Sequence, residues 1–207
     1  MPGKLIEREI VPEGFYFSIS AVRCFKKFIR NTIAVIRVSH ENDRTTIDET
    51  AKFLFTASNN ALIDFITQIF SIPIQKEATD IIRVSAEYIS PSPGFSRHLP
   101  DIVLEVRGGS EKEPLIHIEI QTEHDGMMDM RMVKYGYLIG ASRSRTNEDD
   151  TRVISIPHQV VMYLEENKRI RDELKVKIIF PNESEVNYTV PVFKLYNYSA
   201  RELGEMN

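Results

Sequence analysis

Seven residues, Leu115-Ile-His-Ile-Glu-Ile-Gln121, constrain the fold of this chain more than any other stretch. Strand side chains alternate between two faces, so Ile116, Ile118 and Ile120 point one way and His117, Glu119 and Gln121 the other. The run Asp101-Ile-Val-Leu-Glu-Val106 alternates too, with Asp101, Val103 and Glu105 opposite Ile102, Leu104 and Val106. Between them, Gly108-Gly-Ser-Glu-Lys-Glu-Pro114 is turn chemistry, which makes strands 101–107 and 115–121 a hairpin. In that hairpin Asp101 and Glu119 converge on one face. The plainest reading of that face is a half-exposed polar surface.

The surrounding segments extend the pattern. Thr46 or Asp48 can cap a helix with Ala51, Phe53, Leu54 and Phe55 at its apolar positions. Asn59 and Asn60 interrupt it, and Leu62, Ile66, Ile69 and Phe70 continue at helical spacing until Pro73. Residues 81–89 are rich in β-branched side chains and read as a strand, followed by a turn at Pro91-Ser-Pro-Gly94. Residues 126–143 read as a helix and 159–164 as a compact apolar strand. A last hairpin joins 174–180 to 186–195 through Pro181-Asn-Glu-Ser184. From residue 48 to 164 the order is helix, strand, strand, strand, helix, strand. That is one mixed α/β (α+β) domain, a central sheet flanked by helices, with a C-terminal hairpin. The expected division is an N-terminal extension over 1–45, the domain over 46–195 and the start of a further region at 196–207.

The apolar content, 42%, and the charged content, 27%, are those of an ordinary globular chain and argue against disorder over most of its length. Net charge is −4, but residues 1–40 carry seven Lys or Arg against three Glu, so the first segment is basic and the remainder acidic. That segment reads as a phosphate-binding arm or as a solvated helical face. One cysteine, Cys24, excludes an intrachain disulfide and a multi-cysteine zinc site. No apolar run reaches the roughly 20 residues of a membrane helix, and Glu7, Glu9 and Glu13 spoil a signal-peptide n-region. A cytoplasmic protein with no membrane partner is expected.

Two converging carboxylates repel and need a cation or a shared proton. Mg²⁺ prefers oxygen ligands and commonly takes one or two protein carboxylates; the Ile120 carbonyl offers a further oxygen. Such an ion lowers the pKa of a bound water and neutralises charge on a phosphodiester. His117 and His124 lack zinc-site spacing, and a hydrogen-bonded structural role suits His117 better. Arg143, Arg145 and Arg152 flank a polar loop that either grips a nucleic-acid backbone or is simply solvated.

Leu99-Pro-Asp101 followed by Ile118-Glu-Ile-Gln121 resembles the PD-(D/E)xK nuclease signature, and within it the recombination-promoting nuclease and transposase-like branch, where the last motif commonly reads E-x-Q. Three further stretches agree. Asp48-Glu-Thr-Ala-Lys52-Phe-Leu-Phe55 resembles the opening D-x-x-x-K-x-x-F helix, and Arg131 with Tyr135 resembles the R-x-x-x-Y of the helix after the motif. Asp172-Glu-Leu-Lys-Val-Lys-Ile178 through Tyr188-Thr-Val-Pro191 resembles the hairpin after the core. The resemblance covers about residues 46–207.

It implies a restriction-endonuclease-like core and a Mg²⁺-dependent DNA endonuclease, with Mn²⁺ as a substitute ion, tied to recombination or transposition. Asp101 and Glu119 would ligate the metal, and Gln121 would stand where most members have a lysine that orients water. Asp48 is a third acidic group or a helix N-cap. Lys52 and Arg131 would meet phosphate or serve as surface charges, and Tyr135 reads more as packing than chemistry. Family members continue into a C-terminal helical region where this chain ends, so a truncated or decayed mobile-element protein is expected. A homodimer is compatible with such a nuclease. Two alternatives stand beside it: an inactive nucleic-acid-binding remnant of the same family, and an unrelated α/β interaction domain.

Overall fold

The computed structural model describes residues 59–75, 79–84, 100–108 and 113–197. Its first helix, α1 (Asn59–Phe70), buries Leu62, Phe65, Ile66 and Ile69, the i, i+3, i+4, i+7 spacing of one helical face. The helix begins at Asn59 and Asn60, both exposed, where the break between two apolar runs is expected; residues before 59 lie outside the described residues. Ser71 takes a left-handed φ of 53° directly after the helix, and Pro73 follows.

Three antiparallel strands come next: β1 (Asp80–Arg83), β2 (Ile102–Arg107) and β3 (Leu115–Gln121). β1 has four residues where 81–89 was expected, and 85–90 lie outside the described residues. α2 (Met128–Ser142) then crosses over to β6 (His158–Tyr163), which pairs parallel to β3. On the way the chain forms a small hairpin, β4 (Arg145–Thr146) with β5 (Arg152–Val153). Two residues apiece give no alternation to read, and the sequence reading missed them. β7 (Glu173–Ile179) and β8 (Glu185–Lys194) form the expected second hairpin. It does not stand apart: β8 pairs parallel to β6, giving one six-stranded mixed sheet in the order β1-β2-β3-β6-β8-β7.

Both faces of the sheet's middle strands, β2, β3 and β6, are covered. Ile102, Leu104, Ile116, Ile118, Ile120, Val160, Met162 and Phe193 pack with α1 into the larger core, where the Phe65 and Phe193 rings meet edge to face at 5.4 Å. Ile116 and Ile118 are completely buried, and burying such a side chain contributes about 1.5–3 kcal/mol. The opposite face lies under α2, whose buried residues are Met128, Met132, Tyr135, Gly136, Ile139 and Gly140. A Cβ at Gly140 would stand 2.6 Å from the Ser155 carbonyl oxygen, so glycine here lets α2 approach the segment leading into β6. The architecture is therefore mixed α/β, a central sheet between two helices. No helix among the described residues is long and apolar enough to cross a membrane.

Candidate active site on β3

The face of β3 expected to be half-exposed is buried. His117 and Glu119 are both fully inaccessible, and Val103 and Glu105 on β2 nearly so. Alternation separates two faces but cannot show that a helix covers the second one, as α2 does here. A face so covered leaves no polar group free to face water, so each must find a partner inside.

The β2–β3 register pairs Ile102 with Ile118 and Val103 with His117. One residue further back, Asp101 sits in the bend that leads into β2, opposite Glu119. The two are tied by their own chemistry. The Asp101 backbone N–H donates to Glu119 Oε1 at 3.1 Å, and Asp101 Oδ2 accepts from the Ile120 backbone N–H at 2.9 Å. Ile120 lies past the end of the β2 ladder, and the Asp101 side chain takes the hydrogen bond that a longer β2 would have supplied.

Glu119 accepts from two more donors. His117 Nε2 lies 2.9 Å from Oε1, and Arg131 Nη2 lies 3.0 Å from Oε2. The other arm of the same guanidinium reaches Asp125 Oδ2 at 2.9 Å. Arg131 thus bridges the acid on β3 to the acid ahead of α2. Burial would lower the Arg131 pKa, but the Asp125 hydrogen bond and the Glu119 charge outweigh it and hold the pKa above its ordinary value. For Asp125, burial acts to raise the pKa, and the Met127 N–H and Arg131 together pull it below the ordinary value.

The His117 tautomer follows from Gln159, its direct partner across the β3–β6 pair. Gln159 Nε2 donates to the Met132 carbonyl oxygen at 3.0 Å and lies 2.7 Å from His117 Nδ1. Flipping the amide would set two carbonyl oxygens against each other, so the nitrogen faces Met132. Its second N–H then meets Nδ1 as an acceptor, which puts the imidazole proton on Nε2, pointing at Glu119. Gln159 Oε1 is buried with no partner among the described residues. Sequence reasoning missed Gln159; the signal was a lone amide at the start of the apolar strand Gln159-Val-Val-Met-Tyr163.

α2 closes the site from above. Tyr135 is buried, its ring 5.7 Å from His117 in an edge-to-face arrangement, with the Arg131 guanidinium carbon 5.8 Å from its centroid. Burial, then the Glu119 charge, pushes the Tyr135 phenol above its ordinary pKa. Gln121 is partly buried at the end of β3, and its side chain makes no hydrogen bond among the described residues. Asp48 and Lys52 lie outside the described residues, as does Cys24. His124 lies apart from His117, in the wall of a neighbouring cleft. Arg143, expected in a backbone-gripping or solvated loop, pairs with Glu105 Oε2 at 3.1 Å, while Arg152 donates to Ser144 Oγ. The hydrogen bond from Arg107, with Arg143 adding its own, holds the Glu105 carboxyl below its ordinary range despite burial.

The oxygen donors here are of the kind a hard cation takes. Among the described residues, no three His, Cys, Asp or Glu side chains gather as a metal cluster. Two carboxylates suffice for Mg²⁺ if a carbonyl and water complete the shell. The N–H and C=O of one strand residue project to the same side. Since the Ile120 N–H meets Asp101, its carbonyl also faces the Asp101 side, whereas the Gln121 carbonyl points to β6 and accepts from Leu164 N–H. Of the roughly four lone-pair positions on a carboxylate, Glu119 uses three. The chain matches no protein-family profile, no curated protein and no solved structure.

Proposed function

We propose that the chain is a metal-dependent DNA endonuclease of the PD-(D/E)xK type, associated with recombination or transposition. The observation that carries this reading is the pairing of Asp101 with Glu119 across the end of β2 and β3, with the Ile120 carbonyl turned toward the same side. The order α1, β1, β2, β3, α2, β6, with the small β4–β5 hairpin set between α2 and β6, supports it, resembling the element order of a restriction-endonuclease-like core. Asp101, Glu119 and the Ile120 carbonyl would hold Mg²⁺, which when bound lowers the pKa of water and supplies counter-charge to phosphate. Gln121, on the Glu119 face, would orient the attacking water through its amide, without the positive charge a lysine brings. Arg131 and His117 keep the Glu119 carboxylate in one orientation. The reaction adds water across one phosphodiester P–O bond and leaves a phosphate ester and a hydroxyl.

Nicking of supercoiled plasmid by the full chain in Mg²⁺ tests this. Wild type should nick, and Asp101→Asn and Glu119→Gln should not. No nicking by wild type in either Mg²⁺ or Mn²⁺ would contradict it. One observation favours a second reading, a nucleic-acid-binding protein that does not cut: Arg131 already supplies Glu119 with a counter-charge from within the chain. DNA binding without cleavage would select that reading.

A further inference from the structure

A cleft of about 400 Å³ opens beside the site, between the turn that leads into α2 and the segment that leads into β7. Its walls carry Arg169, Arg171, Lys175 and His124 against Asp125 and Asp129. By formal count the walls look mixed, but one of the two acids already has its cation. Asp125 accepts from Arg131 and from the Met127 N–H, and Asp129 accepts from the Met130 N–H. The arginines are not so engaged: among the described residues neither Arg169 nor Arg171 makes a side-chain ion pair, and both are exposed. Lys175 pairs with Glu173 at the rim.

Position adds to charge. Gln121 and Tyr163 are register partners that end the parallel strands β3 and β6, and Tyr163 lines the cleft. Crevices beyond the carboxyl ends of parallel strands are where open α/β sheets bind ligands. The cleft is also joined to the site by contact. Its wall residue Asp125 holds one arm of Arg131, and the other arm holds Glu119. A planar guanidinium presents a donor fork that matches phosphate oxygens, so two such forks at one mouth suit a phosphodiester chain.

We infer that this cleft seats the nucleic-acid backbone next to the phosphodiester held at Asp101 and Glu119, with Arg169 and Arg171 as its phosphate contacts. The inference rests on the nuclease reading, from which it takes the ligand class. The test is fluorescence anisotropy of the full chain with a labelled mixed-sequence duplex, in EDTA so that nothing is cut, across a chloride series. Each lost phosphate contact lowers the slope of log affinity against log salt by about 1, so Arg169→Ala with Arg171→Ala should lower it by about 2, whatever the duplex sequence. Arg145→Ala with Arg152→Ala removes the same charge from the β4–β5 hairpin and should leave the slope unchanged. Wild-type binding with an unchanged slope in the cleft variant would overturn the inference alone, as would an equal drop in the hairpin variant. A wild-type chain that binds no duplex would overturn the inference, and one that also fails to nick plasmid in Mg²⁺ or Mn²⁺ would overturn the nuclease reading with it.

Discussion

Gln159 and His117 face each other across the parallel β3–β6 pair, Nε2 to Nδ1 at 2.7 Å, and the proton this leaves on His117 Nε2 points at Glu119. A residue on β6 thereby sets the orientation of the acid on β3. Gln159→Leu keeps the approximate volume and removes the donor, leaving the Met132 carbonyl and Nδ1 buried without it. Each such orphaned group costs about 1–3 kcal/mol. Two groups are orphaned, but the unpartnered Gln159 Oε1 goes with the substitution, so urea unfolding should show a net loss of about 1–3 kcal/mol. A variant as stable as wild type would mean that the amide does not set the tautomer.

Arg131 bridges Glu119 and Asp125, with its side chain 28% exposed and Glu119 wholly buried. Arg131→Ala leaves a buried carboxylate with its cation gone, and breaking such a pair costs about 3–5 kcal/mol. The low end is expected, because water reaches the partly exposed guanidinium site. Arg131→Lys should recover less than half of the loss, since one ammonium cannot span two acids as a fork does. Full recovery by lysine, read in the same unfolding experiment, would contradict the bridging geometry.

Two glycines one turn apart on α2 should respond differently to alanine. At Gly140 the new Cβ meets a backbone carbonyl, Ser155 O, at 2.6 Å. At Gly136 it meets the ends of side chains, Gln159 Oε1 at 2.8 Å and the Tyr188 hydroxyl at 2.9 Å. Overpacking typically costs about 1–3 kcal/mol, against roughly 1 kcal/mol gained in helix propensity. Gly140→Ala should therefore destabilise more than Gly136→Ala, because backbone gives way less readily than side-chain ends. The order of their thermal midpoints checks this.

How much of this was legible in the sequence depends on what alternation can carry. It placed β3 at its observed bounds and put Asp101 and Glu119 on one face of a hairpin, because strand side chains alternate; the register itself came with the structure. It could not show that α2 covers the His117–Glu119 face, since His, Glu and Gln read as solvent-facing until a helix is packed over them. Gln159 was hidden for the related reason that one amide in an apolar strand has no partner until its neighbouring strand is known. Arg143 looked like part of a loop because its partner, Glu105, lies 38 residues away.

Acid should unfold the protein partly through Glu105 and Asp125, whose pKa values are depressed below 4.5 and 3.8 in the folded state. A depressed carboxyl contributes stability that is complete above its ordinary value and lost as pH falls through the folded one. The urea midpoint should thus be flat with respect to these two groups above about pH 5 and fall below pH 4.5. Glu105→Gln with Asp125→Asn should lower the neutral-pH midpoint and flatten the acid slope. An acid slope unchanged in the double variant would place the acid sensitivity elsewhere.

The central claim is that Asp101 and Glu119 share one divalent cation. Electron paramagnetic resonance of Mn²⁺ titrated into the full chain measures this without requiring catalysis. Wild type should bind one ion that Mg²⁺ displaces, and Asp101→Asn, which keeps an oxygen for the Ile120 N–H, should lose it while remaining folded. Glu119→Gln should lose it too. Mn²⁺ that stays free in the presence of wild type, or that binds both variants as tightly, would contradict the account.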